Sequence, residues 1–294
     1  MKSHGTSDTI ARSSPLNMKT IGIIAGNGRF PLLAVQEARL QGYRVVVAGL
    51  EKEAEAALEQ EADTFTWIKI GALKKLANFF RAEGVHEAIM AGKVEKVRLF
   101  QGNLQPDFEM LKVFLKIRDF KDDSLLGAVA DYLHEEGIQL LDSTQFMRNA
   151  LPGSGVLGKC KPSKEAMEDA RFGFKMAKAI AALDIGQTVV IKKKAVMAVE
   201  AIEGTDATIR RGSELSGGKM TVVKVSKPNQ DMRFDVPTIG LKTIQVLCEA
   251  KAEVLAFEAG KTLFLEQELV IAEADQAKIS LVGICEEDIN SLSS

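Results

Sequence analysis

The chain has little of what would build a metal cluster, a disulfide scaffold or a membrane span. Its three cysteines, Cys160, Cys248 and Cys285, are an odd number without a Cys-x-x-Cys pair. That argues against a disulfide framework and a zinc ribbon and fits a reducing compartment. The histidines His4, His86 and His134 are scattered and lack metal-ligand spacing. No run reaches the roughly 18 consecutive apolar residues that cross a bilayer, so a soluble or peripheral protein is expected. Charge of neither sign is in excess: 38 Lys and Arg stand against 40 Asp and Glu, a formal net charge of −2. No nucleic-acid partner is therefore expected, and any anion site must be local. The first 17 residues are polar, without the apolar core of a signal peptide, and read as a disordered extension before Met18.

What is present is ordinary globular material. A length of 294 residues, 46% of them hydrophobic and 27% charged, suggests two domains with real cores. From residue 18 to 150, short apolar runs alternate with stretches of helical spacing, starting with Ile21–Ala25, a glycine turn and a helix that stops at Gly42. The pattern predicts an α/β fold with a Rossmann-like parallel sheet covered on both faces, its ligands collecting at the carboxyl ends of the strands. Leu151-Pro-Gly-Ser-Gly155 and Lys161-Pro162-Ser163 mark a linker over 151–163, about which domain motion is expected. Residues 164–285 read as a second α/β domain with a mixed sheet, followed by a tail over 286–294. A hairpin is expected at Lys192-Lys-Lys194, with its lysines solvated, and another joining Val254–Phe257 to Thr262–Leu265.

Several stretches carry chemistry. Gly26-Asn27-Gly28 lies where a phosphate-binding turn belongs, since backbone N–H groups at a helix start attract anions. A dinucleotide fingerprint would want glycine at position 31, where the chain has Pro31. A tight turn explains the residues as well, and a nicotinamide enzyme reading a ribose with Glu51 stays open. Lys93, after the fourth strand, suits a phosphate or solvent equally. Asp122 and Asp123 precede a helix that one of them could cap, or they could meet a sugar hydroxyl or a metal-bound water. Glu200 and Glu203 near Arg210 and Arg211 form a constellation suited to a phosphate and a divalent cation, although Thr205 as an N-cap, Asp206 at the helix's positive end and surface ion pairing would also place such residues there. The densest stretch is Lys224–Gly240, with three cations, two carboxylates, two amides, two hydroxyls and two prolines in 17 residues. If Met232–Val236 is extended, Asp231, Arg233 and Asp235 share one face and the apolar residues the other.

Taken in order, Ile24-Ala-Gly-Asn-Gly-Arg-Phe-Pro31, Ala91-Gly-Lys-Val94, Asp122-Asp-Ser-Leu-Leu126, Leu183-Asp-Ile-Gly-Gln187, Ala198–Asp206 with Arg210-Arg211, and Lys224–Gly240 resemble the UDP-2,3-diacylglucosamine pyrophosphatase family called LpxI, which acts in lipid A synthesis. The resemblance implies two domains with the ligand between them, Mg²⁺ dependence, and hydrolysis of UDP-2,3-diacylglucosamine to UMP and 2,3-diacylglucosamine 1-phosphate. It also implies a cytoplasmic enzyme in transient contact with the inner membrane of a Gram-negative bacterium. By that likeness the essential aspartate falls on Asp235. Gly26, Asn27, Gly28, Lys93, Asp122, Asp123, Gln187, Thr205, Arg210, Arg211, Lys227, Gln230, Arg233 and Thr238 become substrate contacts, and Asp206 or Glu203 would join Asp235 on the metal side. Asn27 stands where the family commonly has glycine. A nicotinamide-dependent oxidoreductase and a non-catalytic nucleotide-sugar-binding protein are the alternatives from other classes.

Overall fold

The computed structural model describes residues 18–94, 106–116, 122–228, 230–234 and 236–290. The first domain runs β1 (Thr20–Ala25), α1 (Phe30–Leu40), β2 (Arg44–Leu50), α2 (Leu58–Glu61), β3 (Thr64–Ile68), α3 (Leu73–Ala82), β4 (Glu87–Ala91), α4 (Phe108–Lys116), α5 (Asp122–Glu135) and β5 (Gln139–Leu140). The strands form one parallel sheet in the order β3-β2-β1-β4-β5. Helices cover both faces, which is why β1 and β2 are nearly continuous apolar runs and do not alternate. The strand order reverses between β1 and β4, so the crevice at this switch point lies between the loops that follow Ala25 and Ala91.

The second domain contains β6 (Gly155–Leu157), α6 (Lys164–Ala182), β7 (Thr188–Lys192), β8 (Ala195–Val199), α7 (Thr205–Ser216), β9 (Thr221–Lys224), β10 (Thr238–Ile239), α8 (Leu241–Glu249), β11 (Val254–Glu258), β12 (Leu263–Phe264), α9 (Gln267–Gln276), β13 (Ser280–Ile284) and α10 (Glu286–Asn290). Its mixed sheet has the order β6-β13-β11-β9-β7-β8, in which β9, β11 and β13 are parallel and the three others antiparallel to their neighbours. Side chains alternate across it: Val189, Val223 and Ala256 pack with α6, while Val190, Val222 and Leu255 face α7 and α8.

Two local expectations are corrected and a third gains a detail. Val254–Phe257 and Thr262–Leu265 do not form a hairpin, because β11 has parallel neighbours on both edges and β12 pairs in parallel with β10 instead. The chain is drawn away between them by Ala259 N–H donating to Ile284 O at 3.0 Å and Gly260 N–H to Pro152 O at 2.8 Å. Inside the expected linker, Gly155–Leu157 closes the second sheet as an antiparallel edge strand on β13. The Lys192–Lys194 hairpin forms, yet its turn is tied down: the buried Asp169 carboxylate accepts from Lys193 N–H and Lys194 N–H at 2.8 and 2.7 Å.

Candidate functional site

On the first domain, the loops after β1 and β4 are welded to each other. Gly26 N–H donates to Ala91 O at 2.8 Å, Asn27 N–H to Lys93 O at 2.7 Å and Lys93 N–H to Asn27 O at 3.0 Å. The approach is close enough that a Cβ on Gly92, whose φ is +89°, would lie 2.7 Å from Asn27 O, so only glycine fits. The N–H groups of Gly26 and Asn27, which a phosphate-binding turn would aim at its anion, are therefore engaged by backbone. Gly28 keeps open space around it, and the Lys93 side chain is exposed at the same edge.

On the second domain, a polar network lies at the edge of the sheet where β9 ends, β7 begins and α7 starts. Lys224 closes β9 and is 5% exposed; its ammonium donates to Thr238 O at 3.2 Å and to Thr205 Oγ1 at 3.4 Å. Thr205 Oγ1 donates to Glu200 Oε1 at 2.8 Å, while Glu200 Oε2 accepts from Gln187 N–H at 3.3 Å. Gln187 Oε1 is buried without a hydrogen-bond partner among the described residues, an arrangement that costs about 1–3 kcal/mol unless something else fills it. Thr205 is the first residue of its helix and not the cap, which is Gly204 at φ +82°. Its hydroxyl is thus directed at Glu200 and leaves the helix's N–H groups alone.

The stretch from Lys224 to Gly240 leaves this edge and crosses to the first domain. Ser226 N–H and Oγ donate to the buried Glu258 carboxylate at 2.9 and 2.8 Å, and Lys178 Nζ donates to both Glu258 oxygens at 3.1 Å. Burial alone would raise the Glu258 pKa; hydrogen bonds from Lys261, Ser226 and Lys178 outweigh it and hold the carboxyl below its ordinary value. Lys227 Nζ lies 2.6 Å from Asp184 Oδ1, and Gln230 Oε1 accepts from Lys227 N–H at 2.8 Å. Residues 232–234 are a turn and not a strand, because Phe234 N–H donates to Asp231 O at 3.0 Å. Asp231 and Arg233 consequently meet in a bidentate pair, with contacts of 2.6 to 3.1 Å, and the guanidinium sits 4.8 Å from the Phe234 ring centre. The guanidinium's hydrogen bonds hold the Asp231 carboxyl below its ordinary range. Ser143, after β5, clasps the turn: its N–H donates to Met232 O at 3.0 Å and its Oγ to Arg233 O at 2.9 Å. Phe234 packs on the core beneath α3, α4 and α5, and Met232 and Val236 join the core containing Ile89, Ala91 and Phe146.

The network therefore unites Gln187, Thr205 and Thr238, with Lys227, Gln230 and Arg233 on the segment that leaves it. It does not gather the arginines: Arg211 binds Glu203 at 2.6 Å and Val199 O at 2.8 Å, whereas Arg210 points to Glu249 at 3.6 Å. Asp235 lies outside the described residues, as do the side chains of Asp122 and Asp123, whose backbone opens α5. Among the described residues no group of three or more His, Cys, Asp or Glu side chains converges on a point. Glu203 is paired with Arg211 at 2.6 Å and Asp206 with Lys242 at 3.2 Å. Sequence reasoning assigned no role to Lys224 by itself and none to Ser143. A lysine closing the buried strand Thr-Val-Val-Lys was the available signal for the first; nothing local marks the second. No helix among the described residues is long and apolar enough to cross a membrane.

Two family models cover almost all of this architecture: that of the LpxI N-terminal domain matches residues 20–150, and that of the LpxI C-terminal domain matches 153–282. A curated protein of Caulobacter vibrioides, the UDP-2,3-diacylglucosamine pyrophosphatase LpxI, is 34% identical over 278 residues, which span 91% of this chain and 98% of that protein. With both domains matched in order and joined where the structure joins them, the chain belongs to the LpxI family.

Proposed function

We propose that this protein is a UDP-2,3-diacylglucosamine pyrophosphatase of lipid A synthesis, which hydrolyses its substrate to UMP and 2,3-diacylglucosamine 1-phosphate with the assistance of Mg²⁺. The observation that carries the reading, beside the family membership, is the buried Lys224 network at the start of a segment that spans both domains. A cation, two hydroxyls and an unpartnered amide oxygen at a sheet edge suit a pyrophosphate and the hydroxyl groups beside it.

Opening a pyrophosphate needs its charge neutralised and a water placed in line with the leaving oxygen. Lys224 and Lys227 supply positive charge on the second domain, and Lys93 supplies it on the first. By the family likeness, the Asp235 carboxylate would orient the water or hold the ion. Mg²⁺, when bound, supplies charge neutralisation, and such ions usually take only one or two carboxylates beside the phosphates themselves. The protein would work in the cytoplasm and touch the inner-membrane surface to reach a diacylated substrate. The engaged N–H groups of Gly26 and Asn27 count against the dehydrogenase alternative. Purified protein with UDP-2,3-diacylglucosamine should release UMP, and EDTA should stop it; binding without release would support a nucleotide-sugar-binding protein instead, and full turnover after exhaustive chelation would remove the ion.

A further inference from the structure

Glu200 is a carboxylate 8% exposed in the middle of the second domain's polar network. Its place is fixed by backbone: Glu200 N–H donates to Thr188 O at 2.9 Å, and a Cβ on Gly186 would lie 2.1 Å from the Glu200 carbonyl oxygen. Among the described residues both groups that meet its side chain are donors, the Thr205 hydroxyl at 2.8 Å and Gln187 N–H at 3.3 Å. A threonine hydroxyl has one proton and two lone pairs. With that proton directed at Glu200, Thr205 Oγ1 can only accept from its other neighbours, Lys224 Nζ at 3.4 Å and Thr188 Oγ1 at 3.5 Å. The carboxylate therefore decides which way the hydroxyl points, and the hydroxyl's lone pair is one of the acceptors, beside Thr238 O, that place the ammonium.

We propose that Glu200 is a positioning residue of this site, which through the Thr205 hydroxyl holds the Lys224 ammonium where the phosphates of a nucleoside diphosphate bind. The proposal rests on the pyrophosphatase reading for the reaction but not for the ligand class. An amide at position 200 shows why the charge matters. Gln offers one acceptor oxygen to two donors, so Thr205 turns to accept from the new NH₂ group and aims its own proton at Lys224. The ammonium then loses its Thr205 acceptor, keeps Thr238 O, and shifts from the phosphate position.

The test uses the full chain and the variants Glu200→Gln, Thr205→Val, Thr205→Ser and Glu200→Gln/Thr205→Val. It reads kcat and KM for UMP release, UDP affinity by calorimetry, and melting temperature. Glu200→Gln and Thr205→Val should each lower kcat/KM about 10- to 100-fold, the scale of one charge-assisted hydrogen bond, and weaken UDP binding in parallel. Thr205→Ser should recover most of what Thr205→Val loses. The double variant should be no worse than the poorer single one, because both changes interrupt one relay. Losses that multiply, or a Thr205→Val protein with wild-type kcat/KM and UDP affinity, overturn the proposal; so does a Glu200→Gln effect that follows melting temperature alone. If the wild type binds UDP yet releases no UMP, the pyrophosphatase reading fails, and the UDP affinities of the variants still decide the role of Glu200.

Discussion

Asp235 is the residue on which the proposed chemistry turns. A carboxylate facing a pyrophosphate repels it in the ground state and helps only where charge and water are being rearranged, so Asp235→Ala should bind substrate and not turn it over. The loss expected is about 10² to 10⁴ in kcat, or roughly 3 to 5 kcal/mol. Kinetics beside substrate affinity and melting temperature check this, with Asp231→Ala as neighbouring control because Asp231 is committed to Arg233. Retention of more than about a tenth of kcat by Asp235→Asn would remove Asp235 from the chemical step. Glu258 offers a contrast, since its work is to hold Ser226 and Lys178 in place. Its folded pKa is depressed below the ordinary 4.5. The stability it contributes is therefore present above that value and fades as pH falls through the depressed one. Glu258→Gln should melt well below the wild type at neutral pH, and the gap should narrow in acid. An equal gap at both ends of the titration would show that the charge is not what stabilises.

At the scale of elements, long periodic segments were legible and short ones set by distant partners were not. The parallel β1–β4 series and α6 announce themselves through apolar runs and spacing. β6 is three residues long and flanked by glycine, so nothing local distinguishes it from a linker. β12 exists because β10 is beside it, and α9 has only two buried positions, Val270 and Ala274, too few to draw a stripe. In the site the sequence drew attention to Lys224–Gly240 through its composition alone, but its alternation suggested an extended strand. The Asp231–Arg233 pair and the Ser143 clasp make it a turn, and the clasp, from a residue 90 positions away, is a contact no window of sequence contains. The pairing of β6 with β13 and the bond from Gly260 to Pro152 leave less of 151–163 to bend than the prolines and glycines suggest. Domain motion should still accompany substrate binding, because the glycine turn and the Lys224 network belong to separate domains yet would serve one ligand. Small-angle scattering of the Asp235→Ala protein with and without UDP-2,3-diacylglucosamine checks it, and superimposable profiles would count against closure.

For the whole molecule, the direction of hydrolysis follows from which phosphorus the two domains present to water. We propose attack at the phosphorus next to the sugar, so hydrolysis in ¹⁸O-labelled water should put the label in 2,3-diacylglucosamine 1-phosphate; label in UMP would show the water aimed at the other phosphorus. The docking of the Met232–Val236 region also bears on how the protein is made. Met232, Val236, Leu263 and Leu265 belong to the second domain in sequence but complete a core built by the first. Synthesis delivers the first domain ahead of the second, so this receptor surface is ready before the segment that fills it emerges from the ribosome. The reverse order has no such shelter: a second domain produced by itself would carry an uncovered apolar strip beside its site, and its solubility would depend on the arrival of its neighbour.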